Sequence, residues 1–150
     1  MGVFAPAIIR KLRSILTESE LVIVYHGGTF DGSRAIDLVC YFATSREMAE
    51  SYLEKSDDPD AQVRAFELHL NNPAPQRVVL ETARYLGMEN PGYTPASLFD
   101  QDLFDNVGEL VSTLARAGYD AAICEDIGYG VQVSEPVYVV WDASKVFKVG

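Results

Sequence analysis

The stretch LVIVYHGGTF, residues 21–30, runs from β-branched and aromatic residues into a histidine and two glycines. Residues of the first kind suit a pleated, half-buried surface, so a strand is expected over 21–26. Gly27 and Gly28 then shed their side chains directly after His26, and bare backbone admits close approach by another molecule. Two readings stand side by side. Either the glycines form a turn and His26 is a satisfied strand-end residue, or imidazole and main chain together grip a small polar ligand.

Outward from this strand the chain is a succession of short elements. Residues 5–17 begin with Pro6 and set Ile8, Ile9, Leu12 and Leu16 on one stripe, an amphipathic helix. IDLVCYFA, residues 36–43, reads as a second strand, and TSREMAESYLEK as a helix with a capping box from Thr44 and Glu47. Residues 62–70 alternate, with Phe66, Leu68 and Leu70 on one side and Glu67 and His69 on the other. NNPAPQ is a loop, ETARYLG a short helix, and NPGYTPASLFDQDLFD irregular. Asn106 and Glu109 open a helix that turns Val107, Leu110, Val111 and Leu114 inward and stops at Gly118. YDAAIC, VYVVWD and VFKV are strands, and EDIGYG is a loop. Many strands with few helices between them give an α+β class. Residues 1–20 are expected to be a helix and its connection, and residues 21–150 one domain.

Acidic residues outnumber basic ones 22 to 12, a net charge of −10. That disfavours non-specific binding to phosphate backbones, so a protein target is expected ahead of a nucleic acid. No apolar run approaches the roughly 20 residues that span a bilayer, and the first residues carry no cleavage signature. No membrane association and a cytoplasmic location are therefore expected. Cys40 and Cys124 sit in apolar, strand-like stretches and read as small core residues of a reducing compartment. Two Cys and two His, scattered, lack zinc-site spacing, so no metal is expected.

The segment CYFATSREMAESY changes the weighting. Tyr41 ends a strand and Tyr52 follows eleven residues later inside a helix. With His26-Gly27 upstream, this order resembles the histidine–tyrosine–glutamate branch of the ADP-ribosyltransferases, the branch of diphtheria toxin and the poly(ADP-ribose) polymerases. LHLNNP, AGYDAAI and YVVWDASKV are similar to pieces of the bacterial and phage toxin-like members, and the resemblance covers roughly residues 21–147. It implies a split, mostly antiparallel sheet with flanking helices, and NAD as substrate. It further implies that Gly27 meets the nicotinamide carboxamide, that His26 bonds a ribose hydroxyl, and that Tyr41 and Tyr52 sandwich the cationic ring. The activity implied is transfer of one ADP-ribose to a macromolecular target with release of nicotinamide, in a toxin or effector that a partner protein neutralises.

The carboxylate departs from that pattern. The resemblance places a Glu five residues before Asp142, where Val137 stands. Glu135 lies two residues earlier, on the same face of an extended strand and about 7 Å away. Pro136 offers a bulge or irregular strand start that re-aims it. Either Glu135 stabilises the oxocarbenium-like ribose, or Val137 occupies the slot, and the resemblance then implies either mono-ADP-ribosylation with help from a substrate acid or an inactive NAD-binding or protein-interaction module. Glu125 and Asp126 follow a strand end and read as a solvated loop ahead of a lining of the target-recognition side. The arginine–serine–glutamate branch fits poorly, because Gln132 and Glu135 are three positions apart. RNA 2′-phosphotransferase chemistry wants a second histidine, and His69 falls on the outer side of its strand.

Overall fold

The computed structural model describes residues 21–33, 35–54, 56–88, 94–127 and 134–149. The helix expected over 5–17, Gln132 and much of the loop EDIGYG lie outside the described residues. The class is α+β. Seven strands make one mixed sheet: β1 (Leu21–Gly28), β2 (Cys40–Ala43), β3 (Gln62–His69), β4 (Pro73–Ala74), β5 (Ala121–Asp126), β6 (Glu135–Val140) and β7 (Val146–Lys148). Their order is β4-β5-β6-β2-β1-β3-β7, with β4 and β5 parallel and every other pairing antiparallel. Among the described residues three α-helices accompany them: α1 (Arg46–Leu53), α2 (Gln76–Tyr85) and α3 (Val107–Arg116).

Strand alternation sorts the core onto the two faces of the sheet. Ala43, Ala122, Cys124, Val137 and Val139 face the helices, where they pack with Met48, Val79, Leu110 and Leu114. Val24, Phe42, Phe66, Leu68 and Val140 face the other way, around Phe30. On that side Phe30, Phe42 and Phe66 meet at centroid distances of 5.5–6.1 Å, tilted or edge to face, as ring quadrupoles prefer. Cys40 and Cys124 are buried free thiols.

Four local expectations need correcting. The strand expected over 36–43 keeps only Cys40–Ala43. Leu38 takes φ 68° while the Val39 N–H donates to the Asp37 carbonyl at 3.0 Å, a γ-turn that bends the chain before β2. Its side chain packs against the helix-side core, which holds a conformation that leucine rarely adopts. The cap of α1 is Ser45 rather than Thr44: the Ser45 hydroxyl accepts from the Met48 N–H at 3.1 Å. Helix α2 begins at Gln76, well before ETARYLG, because the Pro75 carbonyl receives the Val78 and Val79 N–H groups. Finally, β5 runs on through Glu125 and Asp126, the two acids assigned above to a loop.

Helix α3 matches its expectation. Val107, Leu110, Val111 and Leu114 are buried. Gly118 at φ 99° lets the Gly118 and Tyr119 N–H groups close on the Ala115 and Leu114 carbonyls at 3.0 and 3.1 Å. The tight exit aims the chain straight into β5, where Asp126 is the last residue.

Candidate functional site

Between β1 and β2 the sheet is held by a single register pair, Tyr25↔Ala43. Beyond it β1 stays with β3 (His26↔Arg64, Gly27↔Val63, Gly28↔Gln62) and β2 stays with β6. The strands part at the residues singled out in the sequence.

Gly27 and Gly28 belong to β1 and not to a turn. A Cβ on Gly27 would stand 2.0 Å from the Ala49 carbonyl oxygen, so the missing side chain is what lets α1 lie against the strand. A Cβ on Gly28 would stand 2.7 Å from His26 Nε2, because the imidazole folds back along its own strand. Protein atoms, not an approaching ligand, thus occupy the space beside both glycines.

The His26 ring lies among Phe30 and Phe42, on the face away from the helices. Its Nδ1 donates to the Tyr41 main-chain oxygen at 2.7 Å, across the parting of β1 and β2. In the neutral ring this fixes Nε2 as the acceptor. Cys40 Sγ lies 3.4 Å from Nδ1. Opposite His26, Arg64 donates through Nη1 to the Gly28 and Phe30 carbonyls at 3.1 and 3.3 Å. Sequence reading passed over Arg64, since no motif surrounds it.

The two tyrosines meet on the helix face. Their ring centroids are 6.5 Å apart at an interplanar angle of 57°, so they form a corner. Each hydroxyl is anchored. Tyr41 donates to the Ala96 carbonyl at 2.9 Å, and Tyr52 donates to Asp126 Oδ2 at 2.5 Å. Burial pushes both phenols far above their ordinary range; Asp100 and Asp126 add to this at Tyr41, and the bond to Asp126 does so at Tyr52. Both therefore act as neutral donors at any physiological pH.

Asp126 and Glu135 face each other in cross-strand register. Their environments separate them. Asp126 accepts from Tyr52, from the Thr94 hydroxyl at 2.6 Å and from the Ile127 N–H at 2.9 Å, so both its oxygens are committed. Glu135 receives one bond, from Ser45 Oγ to Oε2 at 3.1 Å, which leaves Oε1 open among the described residues. Ser45 also caps α1, so Glu135 sits at that helix's N-terminus, where the peptide dipoles favour negative charge. Val137 is 0 % exposed and packs inside the core, so it presents nothing to the corner. Of the sequence candidates, Tyr41, Tyr52 and Glu135 converge, while the His26 ring lies across the sheet from them. Ser45 and Thr94 were missed as site residues and Asp126 was ranked as loop, because their partners are far away in sequence.

A cavity of about 580 Å³ lies at the other end of β6, beside Ile36, Tyr119, Trp141, Asp120 and Asp142. Its carboxylates are engaged. Asp120 accepts from the Asn71 and Asn72 N–H groups at 2.6 and 3.0 Å, and Asp142 from the Ser144 N–H and hydroxyl at 3.0 and 2.7 Å. Among the described residues no cluster of three or more His, Cys, Asp or Glu is arranged to hold a metal ion. No helix there is long and apolar enough to cross a membrane.

Two expected results follow from these environments. Asp126→Asn presents an amide donor to one of two hydroxyl donors, so it should lower stability by about 2 kcal/mol, the scale of a hydrogen bond to a charged group. A denaturant midpoint unchanged from wild type would show that Asp126 does not hold the corner. The second concerns alkaline pH. Burial pushes the Cys124 thiol up to about 12, with Asp126 and Glu125 adding to it. A group whose pKa rises on folding keeps its proton more firmly in the folded state. Its contribution is whole below the ordinary value of 9.0 and is lost as pH climbs towards 12. Thermal melts should therefore fall through that window, and less steeply in Cys124→Ala; parallel curves would remove Cys124 as a cause.

Compared with protein-family models, with curated proteins and with solved structures, the chain finds no match in any of the three.

Proposed function

We propose that the chain is a mono-ADP-ribosyltransferase of the histidine–tyrosine–glutamate type. It binds NAD where β1 and β2 part, releases nicotinamide and passes ADP-ribose to a macromolecular target. The observation that carries this reading is the corner itself: two anchored tyrosine rings 6.5 Å apart beside Glu135, whose Oε1 is open among the described residues. Neutral aromatic faces favour a pyridinium ring, by on the order of 1 kcal/mol or more when water is excluded. As the glycosidic bond breaks, positive charge moves onto the ribose, and a carboxylate close by stabilises it. In this reading the nicotinamide end meets the tyrosines on the helix face, and His26 bears on the site from across the sheet through its bond to the Tyr41 main-chain oxygen. In this reading Gly27 contributes main chain only, because its side-chain space belongs to α1.

The test is incubation of the protein with NAD labelled in the adenylate, plus a cell lysate, following free nicotinamide and labelled macromolecules together. Wild type should produce both, and Tyr52→Ala neither. Equal label with wild type and Tyr52→Ala would sink the assignment of the site.

A second reading, the NAD-binding module without catalysis, is favoured by Val137 standing where the resemblance puts its glutamate. NAD binding by calorimetry with no nicotinamide released would select it.

A further inference from the structure

Among the described residues, the helix-side face of the sheet is covered at one end only. Helix α1 lies over Gly27, whereas the row Ile23, Glu67 and Phe147, in register across β1, β3 and β7, is open. Ile23 is 50 % exposed, Phe147 47 % and Val149 46 %. On the reverse face their neighbours Val24, Phe66, Leu68 and Val146 are buried, so these strands show water two large apolar side chains, Ile23 and Phe147, on either side of Glu67. His69 lies against Phe147 with ring centroids 4.3 Å apart and is bonded to Glu67 at 2.6 Å, which ties the acid into the same patch.

We propose that this row is the seat of the chain's own residues 5–17, held there by the apolar stripe Ile8, Ile9, Leu12 and Leu16. Three observations select that occupant. The first is the tether: the chain enters β1 at Leu21, beside Ile23 and opposite His69, so residues 18–20 need span only about 10 Å. The second is charge. Residues 1–17 hold three of the 12 basic residues, Arg10, Lys11 and Arg13, and none of the 22 acidic ones, while the patch offers Glu67. The third is size. A helix over 5–17 would be about 20 Å long, against a three-strand face about 10 Å wide. Stable association of two separate chains takes about 800 Å² from each, more than a few half-exposed side chains present. A tethered segment needs less, since its effective concentration reaches the millimolar range.

The experiment uses the full chain with paired cysteines. Ile9→Cys with Phe147→Cys should form a disulfide within one chain under mild oxidation. Ile9→Cys with Tyr85→Cys, on α2 at the far side of the sheet order, should not. A disulfide joining two chains would overturn the proposal in favour of a second copy. Equal yields from both pairs, or none from the first, would overturn it outright. An independent reading needs no cysteines. Ile23→Glu with Phe147→Glu should speed tryptic cleavage at Arg10, Lys11 and Arg13 by about tenfold or more, as expected when a docked segment is released. An unchanged cleavage rate with the fold intact by circular dichroism would also overturn it.

Discussion

Glu135→Gln should slow nicotinamide release by roughly 10²–10³-fold, the range for removing one preorganised group aimed at developing charge. The amide is nearly isosteric, and its oxygen still accepts the bond that Ser45 gives to Oε2. What disappears is the negative charge that the proposed function sets beside the ribose. NAD affinity should change little, because the tyrosine corner and the parting of the strands are untouched. A fall in kcat with KM preserved therefore separates this role from simple binding. The counterpart at Asp126 behaves differently, since both its oxygens hold the scaffold and its loss is read in stability. Full activity in Glu135→Gln would end the claim that this carboxylate acts.

The largest effect on folding is expected at Gly27. An added Cβ meets the Ala49 carbonyl oxygen at 2.0 Å and its carbon at 2.9 Å, and both are backbone atoms that cannot rotate aside. Relief requires α1 to lift from β1, which would also carry Tyr52 away from Asp126. Overpacking of this kind costs about 1–3 kcal/mol and at times more, so Gly27→Ala should approach or exceed the top of that range. Gly28→Ala is the internal comparison. Its Cβ meets only His26 Nε2, at 2.7 Å, and that ring can turn at the expense of its bond to Tyr41. Equal denaturant midpoints for the two variants would show that α1 does not press on Gly27.

Where pattern and neighbourhood agree, the sequence was an adequate guide. Helix α3 has four apolar residues at helical spacing and a glycine in the left-handed region, and both are local facts. Strand β3 alternates, and it buries Phe66 and Leu68 while leaving His69 outside. The misses share a cause. The cap of α1 went to Thr44 on spacing, yet Ser45 has both an N–H to accept from and a distant glutamate to donate to. The strand over 36–43 looked continuous because nothing in its composition signals that Leu38 will turn with a positive φ. Asp126 looked like loop because its meaning lies in a bond to Tyr52, 74 residues away. Tyr41 and Tyr52 were legible as a pair, but their mutual angle was not. That angle is fixed by Ala96 and Asp126, and no spacing rule reaches either.

The lone Tyr25↔Ala43 register pair has a mechanical consequence. Two plates, β4-β5-β6-β2 and β1-β3-β7, are joined by that one ladder pair and by the His26 bond to the Tyr41 main-chain oxygen, so flexing between them would cost that side-chain bond and unzip no ladder. Movement of one plate against the other then draws on bending, which is soft, rather than on severed amide bonds, which are not.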